Sequence, residues 1–247
     1  MASLTGKSVL VTGASRGIGA AAAKLLHTQG AKVILHASAS GAAAEKAAAA
    51  AGGVILYEDL AAPGAGARLM AAAQAKAGRI DAVVNNAGIY LPSPLTGAEA
   101  EWSEGWATTM AVNVQAPADI CRAAVAHFRE KGGGIVVNIA SRAGHRGDGP
   151  DHAAYAASKG AVLAMTKTWA RALSGENILF YAIAPGWVET RMAPQDIENR
   201  KLAVKDIPLG RVAAPEEVAE MIVFLASGAC PSATGATFDI NGASYVR

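Results

Sequence analysis

The sequence predicts an α/β fold: one doubly wound domain with a seven-stranded, mostly parallel sheet flanked by helices on both faces. Three observations predict it. Short apolar runs of strand length alternate with alanine-rich helical stretches along the whole chain, the pattern that packs helices onto a parallel sheet. The strand runs are apolar at nearly every position, as expected where both faces of a sheet are covered. The 247 residues, 52% hydrophobic and 17% charged, are ample for one large core. No Pro/Ser-rich linker or shift in composition divides them, so residues 1–247 are expected to form a single domain.

The strand candidates are Ser8–Val11, Val33–His36, Val54–Tyr57, Ala82–Asn85, Ile135–Ile139, Ile178–Ala184 and Ala236–Ile240. Between them lie stretches of high helix propensity such as Gly19–His27 and Ala42–Ala51. Their alanine blocks suit close helix–sheet packing. Two segments break the pattern: residues 142–152, polar and rich in Gly, and residues 186–210, which carry Pro194, Pro208 and many charges. Both follow a strand on its C-terminal side, where open α/β sheets build their sites.

The first strand runs into Thr12-Gly13-Ala14-Ser15-Arg16-Gly17-Ile18-Gly19, and a helix follows. Glycines there permit a tight turn and let backbone N–H groups approach a pyrophosphate, which the helix dipole also favours. The strand–loop–helix context gives the pattern its meaning. No Gly-Lys-Ser/Thr closes it, which excludes a Walker-type loop.

Tyr155 and Lys159 stand four apart in the helical stretch Ala153–Leu173, hence on one face, one turn apart. Ser141 ends a strand beside the same crevice. Reduction of a carbonyl needs a proton donor. A phenol has an ordinary pKa of about 10, too high for efficient exchange near neutrality. A neighbouring ammonium is expected to lower it, while a serine hydroxyl orients the substrate oxygen.

With these motifs in order, the chain resembles the short-chain dehydrogenase/reductase family over almost its whole length, in the single-domain branch that includes the 3-oxoacyl-carrier-protein reductases. The GxxxGxG spacing of Gly13, Gly17 and Gly19 carries the resemblance, as do Asp59-Leu60, Asn85-Asn86-Ala87-Gly88, Asn113, Ser141, the YxxxK pair, and Pro185-Gly186 with Thr190. The resemblance implies Tyr155 as acid/base, Lys159 as its electrostatic partner and a ribose ligand, Ser141 as substrate orienter, and Asn113 as anchor of a water linking Lys159 to solvent. It implies a dinucleotide held by Gly13, Ser15, Arg16, Gly17, Ile18, Gly19, Ser38, Asp59, Leu60, Asn86, Ala87, Gly88, Tyr155, Lys159, Pro185, Gly186, Val188 and Thr190. The expected activity is hydride transfer between NADP(H) and a carbonyl or secondary alcohol. An NAD-linked dehydrogenase of a sugar or cyclic alcohol is the alternative, and a catalytically silent dinucleotide-binding protein a remote one.

NADP(H) is preferred over NAD(H) because the position that is acidic in NAD-specific enzymes falls at Ala37. Ser38 and Arg16 are then available to a 2′-phosphate, unless Arg16 is only a solvated loop residue. The resemblance also implies a homotetramer, through helices at about Glu101–Lys131 and Ala153–Leu173 and through the strand Ala236–Ile240 with its tail. The segment after Ser141 holds two Arg, two His and two Asp. Either it is a solvated loop, or His145, Arg146 and His152 meet a polar or anionic group of the substrate opposite Tyr90 and Trp187. Trp187 either lines that pocket or packs. Residues 186–210 are expected to cover the cleft.

Two positions depart from the family pattern. Tyr181 stands where relatives commonly have Asn, so the local hydrogen bonding must differ, and Ala243 replaces the second Gly of the usual Asn-Gly-Gly.

The formal net charge of +2 points to neither nucleic acid nor an anionic membrane. Cys121 and Cys230 form no CxxC pair and suit a reducing compartment. The five histidines show no zinc-ligand spacing, so no metal is expected. Met1 leads straight to Lys7-Ser8-Val9-Leu10-Val11 without a signal-like segment, and no apolar run reaches membrane-spanning length. A cytoplasmic location is expected.

Overall fold

The computed structural model describes residues 3–247. Its sheet has seven strands in the order β3-β2-β1-β4-β5-β6-β7: β1 (Ser8–Val11), β2 (Lys32–Ala37), β3 (Val54–Tyr57), β4 (Ala82–Asn85), β5 (Gly134–Ile139), β6 (Ile178–Pro185) and β7 (Thr237–Ile240). Every pairing is parallel, not merely most of them.

The helices are α1 (Gly17–Thr28), α2 (Ala42–Ala50), α3 (Ala65–Ala77), α4 (Glu99–Met110), α5 (Ala116–Lys131), α6 (Ala143–Arg146), α7 (Ala153–Leu173), α8 (Ile197–Lys205) and α9 (Pro215–Ala226). Successive residues of a strand point to opposite faces, so β1 serves two cores. Val9 and Val11 meet Ala22, Ala23 and Leu26 of α1 and Val218, Ile222 and Val223 of α9. Leu10 lies on the other face with Leu69 of α3, Ile120 and Phe128 of α5, and Ala170 of α7. The alanines of α1 give it a low profile, which lets α9 pack beside it. β3 is less covered than a strand buried on both faces. It is the outermost strand, and Val54 and Tyr57 are exposed.

Three segments differ from the sequence expectation. The helix expected over Glu101–Lys131 is α4 and α5 joined by a π turn at Ala111–Gln115. Residues 186–210 contain α8, whose Asp196 caps it by accepting the Asn199 N–H at 2.8 Å. The Gly-rich segment 142–152 is structured by α6 and a 3₁₀ turn at Pro150–His152. Because strand order reverses between β1 and β4, their following loops part and open a crevice at the C-terminal ends of the strands.

Candidate active site

The glycine loop lies on one side of this crevice. Gly13 has φ +62°, and a Cβ there would lie 2.8 Å from Ala87 Cα. A Cβ on Gly17 would lie 3.0 Å from Thr190 Cγ2, so the chain after β6 reaches back over the loop. Thr12 Oγ1 accepts the N–H groups of Asn86 and Ala87, both at 2.9 Å. Asn86 Nδ2 donates to the carbonyls of Thr12 and Gly13 at 2.8 and 3.1 Å. Gly88 and Ile89 continue this segment toward Asn113. The first turn of α1 holds no acidic residue and no side chain caps it. Its N–H groups, with Ser15 and Ile18 half-buried beside them, suit an anion.

Those features fit a dinucleotide: a glycine loop packed too closely on Ala87 and Thr190 for any Cβ, and uncapped amides at a helix N-terminus. At the adenine end, Ala37 closes β2 without a carboxylate, and Ser38 and Arg16 are exposed. Glu58, the nearest acidic side chain in sequence to the end of β3, is held by Arg68 (2.6 Å). Asp59 accepts the Ala61 N–H at 3.0 Å, and Leu60 is buried in the core.

The segment after β5, α7 and the π turn bring together Ser141, Tyr155, Lys159 and Asn113. Ser141 is buried and its Oγ accepts the Ala143 N–H at 3.1 Å. The Tyr155 phenol lies beside the Ser141 hydroxyl. Burial pushes the phenol up to about 12, more than the serine contact pulls it down. The expected lowering by Lys159 is absent from the free chain. Lys159 Nζ is 5.7 Å from the ring centre and donates to the Ile139 carbonyl at 2.8 Å, and desolvation brings Lys159 itself down to about 8. Asn113 Oδ1 accepts the Ile89 N–H at 2.9 Å, while Nδ2 donates to Ile89 O (3.0 Å) and Ser158 Oγ (3.1 Å). The amide thus ties the chain after β4 to α7, from within a π turn, a feature frequent at functional sites.

An aromatic group flanks the phenol. Tyr90 stacks on His152 (centroids 3.9 Å apart, planes 5° apart) and meets Tyr155 edge-on at 4.8 Å and Trp187 at 6.3 Å. The structure does not bring His145 to this group. Its ring stacks on Tyr245 of the C-terminal tail at 5.7 Å, because α6 turns that face toward the tail. Arg146 is exposed on α6. Pro185 accepts the Arg142 N–H, Gly186 packs on Asn241 and donates to Ile240 O, and Val188 is buried and bridges to Ala213.

Sequence reasoning missed three residues. His36 accepts the Gly13 N–H through Nδ1 at 3.1 Å. Thr12 organises the crevice floor. Arg142 is a buried cation adjacent to Ser141. Only Arg142 left a trace in sequence, as the charge directly after Ser141 in a polar, glycine-rich loop. The Tyr181 hydroxyl donates to the Cys230 carbonyl at 3.1 Å, the altered bonding expected there. Among the described residues no cluster of metal-ligating side chains occurs, and no helix is long and apolar enough to cross a membrane.

Known proteins resemble this chain in sequence and in fold. A family model described as enoyl-(acyl carrier protein) reductase matches residues 13–243. The chain is 41% identical over 168 residues to the 3-oxoacyl-[acyl-carrier-protein] reductase FabG of Thermotoga maritima, covering 68% of this chain and 67% of that protein. It is 35% identical to the FabG of Vibrio cholerae, covering 98% and 99%. A crystal structure of the 3-oxoacyl (acyl-carrier-protein) reductase of Agrobacterium tumefaciens C58 with NADP bound superposes with a TM-score of 0.88 at 34% identity, covering 97% of this chain and 95% of that one. With its glycine loop, its Ser–Tyr–Lys group and these full-length likenesses, the chain belongs to the short-chain dehydrogenase/reductase family of NAD(P)-dependent oxidoreductases.

Proposed function

We propose that this protein is an NADP(H)-dependent reductase of a small carbonyl compound. The observation that carries this reading is the Tyr155 phenol beside the Ser141 hydroxyl, one helical turn from Lys159, at the crevice that faces the glycine loop. A nicotinamide dinucleotide held by the glycine loop, Lys159 and the chain at Thr190 would supply a hydride for the carbonyl carbon. Ser141 holds the carbonyl oxygen by donating a hydrogen bond. Tyr155 gives that oxygen its proton, so hydride and proton together make the alcohol. The phenol is protonated near neutrality, the form that donates in reduction, and its burial in the free chain must be offset on binding for it to give up that proton readily. Lys159, one turn along the same helix face, is the cation available to a bound cofactor's ribose and to the phenolate once its bond to the Ile139 carbonyl is exchanged, and Asn113 holds the Ile89 segment against α7. Tyr90, His152 and Trp187 form an aromatic wall beside the reacting oxygen, a usual surface for a small substrate.

The absence of a carboxylate at Ala37 supports NADP(H). So does Arg16, which makes no ion pair among the described residues. The relative with NADP bound supports the same choice. The active form is a homotetramer in the cytoplasm, joined through α4–α5, α7 and β7; light scattering near the mass of one 24.9 kDa chain at micromolar protein would contradict the tetramer. The test of function is NADPH oxidation with a panel of ketones that includes 3-oxoacyl thioesters. Absence of turnover with all of them would overturn the reading.

A further inference from the structure

Arg142 is the charged group nearest in sequence to Ser141, and the mechanism above does not use it. Its N–H donates to the Pro185 carbonyl at 2.9 Å, which pins its Cα beside the end of β6. The residue is 6% exposed, and its Nη1 is fully buried with no hydrogen-bond partner. A guanidinium does not shed its proton at neutral pH, so the charge persists. Burying it unpaired is expensive.

Three charged side chains lie within electrostatic reach of it: Arg146, Asp148 and Asp206. Arg146, one turn along, adds to the positive charge. Asp148 lies beside the Tyr90 hydroxyl and accepts the Gly149 N–H at 2.9 Å. Asp206 follows the last turn of α8. Neither carboxylate bonds Arg142; the ion pairs among the described residues all lie elsewhere. The guanidinium is therefore bracketed by the two segments that flank the cleft, the loop before α7 and the end of α8. Tyr90 connects that bracket directly to Tyr155. Among the described residues, no anion bonds the guanidinium next to the substrate-orienting serine.

We propose that Arg142 is the anchor for an anionic group of the substrate, which makes the substrate class an oxo acid or a phosphorylated ketone whose anion lies a few bonds from the carbonyl. This rests on the carbonyl-reductase reading. A planar guanidinium takes two oxygens of a carboxylate or phosphate side by side, and that second contact fixes which face of the carbonyl meets the hydride. His152 and Tyr90 then line the path to the anchor, and His145 has no part in it.

The test is kcat/KM with NADPH for two matched pairs: acetoacetate against methyl acetoacetate, and dihydroxyacetone phosphate against dihydroxyacetone. The variants are Arg142→Met, Arg142→Lys and Asp206→Asn. The wild-type enzyme is expected to prefer the anionic member of at least one pair, and which pair separates carboxylate from phosphate. Arg142→Met is expected to lower that preference about 10- to 100-fold, the range of a charge-assisted hydrogen bond, and Arg142→Lys to keep part of it. Arg142→Met should also leave the Tm of the free enzyme unchanged or higher, because it removes a buried Nη1 that has no hydrogen-bond partner, which excludes misfolding as the cause. The proposal is overturned if the wild type prefers neither anion, or if Arg142→Met lowers both members of each pair equally. It is also overturned if Asp206→Asn reproduces the loss on all four compounds, which would make Arg142 a latch for α8. Turnover of the neutral ketones keeps the reductase reading intact in each case.

Discussion

Nδ1 of His36 accepts the backbone N–H of Gly13 at 3.1 Å, while its Nε2 lies 2.9 Å from the Glu58 carbonyl oxygen. These two contacts require the neutral imidazole with its proton on Nε2. One ring at the end of β2 thus holds the glycine loop on one side and the exit of β3 on the other. Burial accordingly lowers the His36 pKa, against the smaller opposing pull of Glu58.

The linkage has a definite sign. A histidine whose folded pKa lies below its unfolded value, about 6.5, contributes stability that is present above that value and lost as pH falls through the folded one. His36→Phe removes the acceptor and is expected to cost about 1–3 kcal/mol at pH 8. The gap between the melting curves of wild type and variant should narrow toward pH 5. His127, buried and accepting the Ile80 N–H at 3.0 Å, contributes a parallel trend in both proteins. A gap of the same size at both pH values would contradict the role given to His36.

Tyr155→Phe is expected to lower kcat by about 10²–10⁴-fold while leaving NADPH affinity within a few-fold. The variant keeps the ring that packs on Tyr90 and removes only the donor. Fluorescence titration of NADPH beside steady-state kinetics separates the two effects. A variant with a tenth of wild-type kcat would remove Tyr155 from the acid role.

Coenzyme preference follows from charge at the end of β2. With no carboxylate at Ala37 and an unpaired Arg16 at the loop, kcat/KM for NADPH should exceed that for NADH by about tenfold or more, the worth of one charge-assisted contact. Arg16→Ala should erode most of that ratio through the KM for NADPH. Equal kcat/KM for both coenzymes in the wild type would sink the prediction.

Ala243 has φ +65°, a left-handed conformation that costs a residue with a Cβ about 1–2 kcal/mol. Glycine adopts it freely but loses more entropy on folding. Ala243→Gly is therefore expected to stabilise the protein by roughly 0.5–1 kcal/mol net, a rise in Tm of about 1–4 °C for a chain of this size. Calorimetry showing a lower Tm would mean that the Ala243 methyl packs well enough to outweigh the strain.

Much of this protein was legible without coordinates, and for a common reason. The seven strands, the glycine loop and the Tyr155–Lys159 spacing are local features. Apolar runs, backbone freedom at Gly13 and helical periodicity act within a few residues of themselves, so the chain announces them directly. The Ser141 position was legible too, because it stands just past the C-terminal end of a strand, where open α/β sheets build their sites.

What only the tertiary structure decided lies where distant segments meet. His36 is an ordinary strand residue until the pairing of β1 with β2 sets it against Gly13. His145 and His152 look alike in a polar loop, yet α6 and the 3₁₀ turn send one ring to Tyr245 and the other to Tyr90. The phenol is raised rather than lowered because burial, set by everything packed around Tyr155, outweighs the Ser141 contact, while Lys159 is turned to the Ile139 carbonyl. Arg142 became a buried cation through its bond to Pro185 and the neighbouring end of α8. Solvation and charge depend on every segment that excludes water from a site, and no run of neighbouring residues encodes that sum.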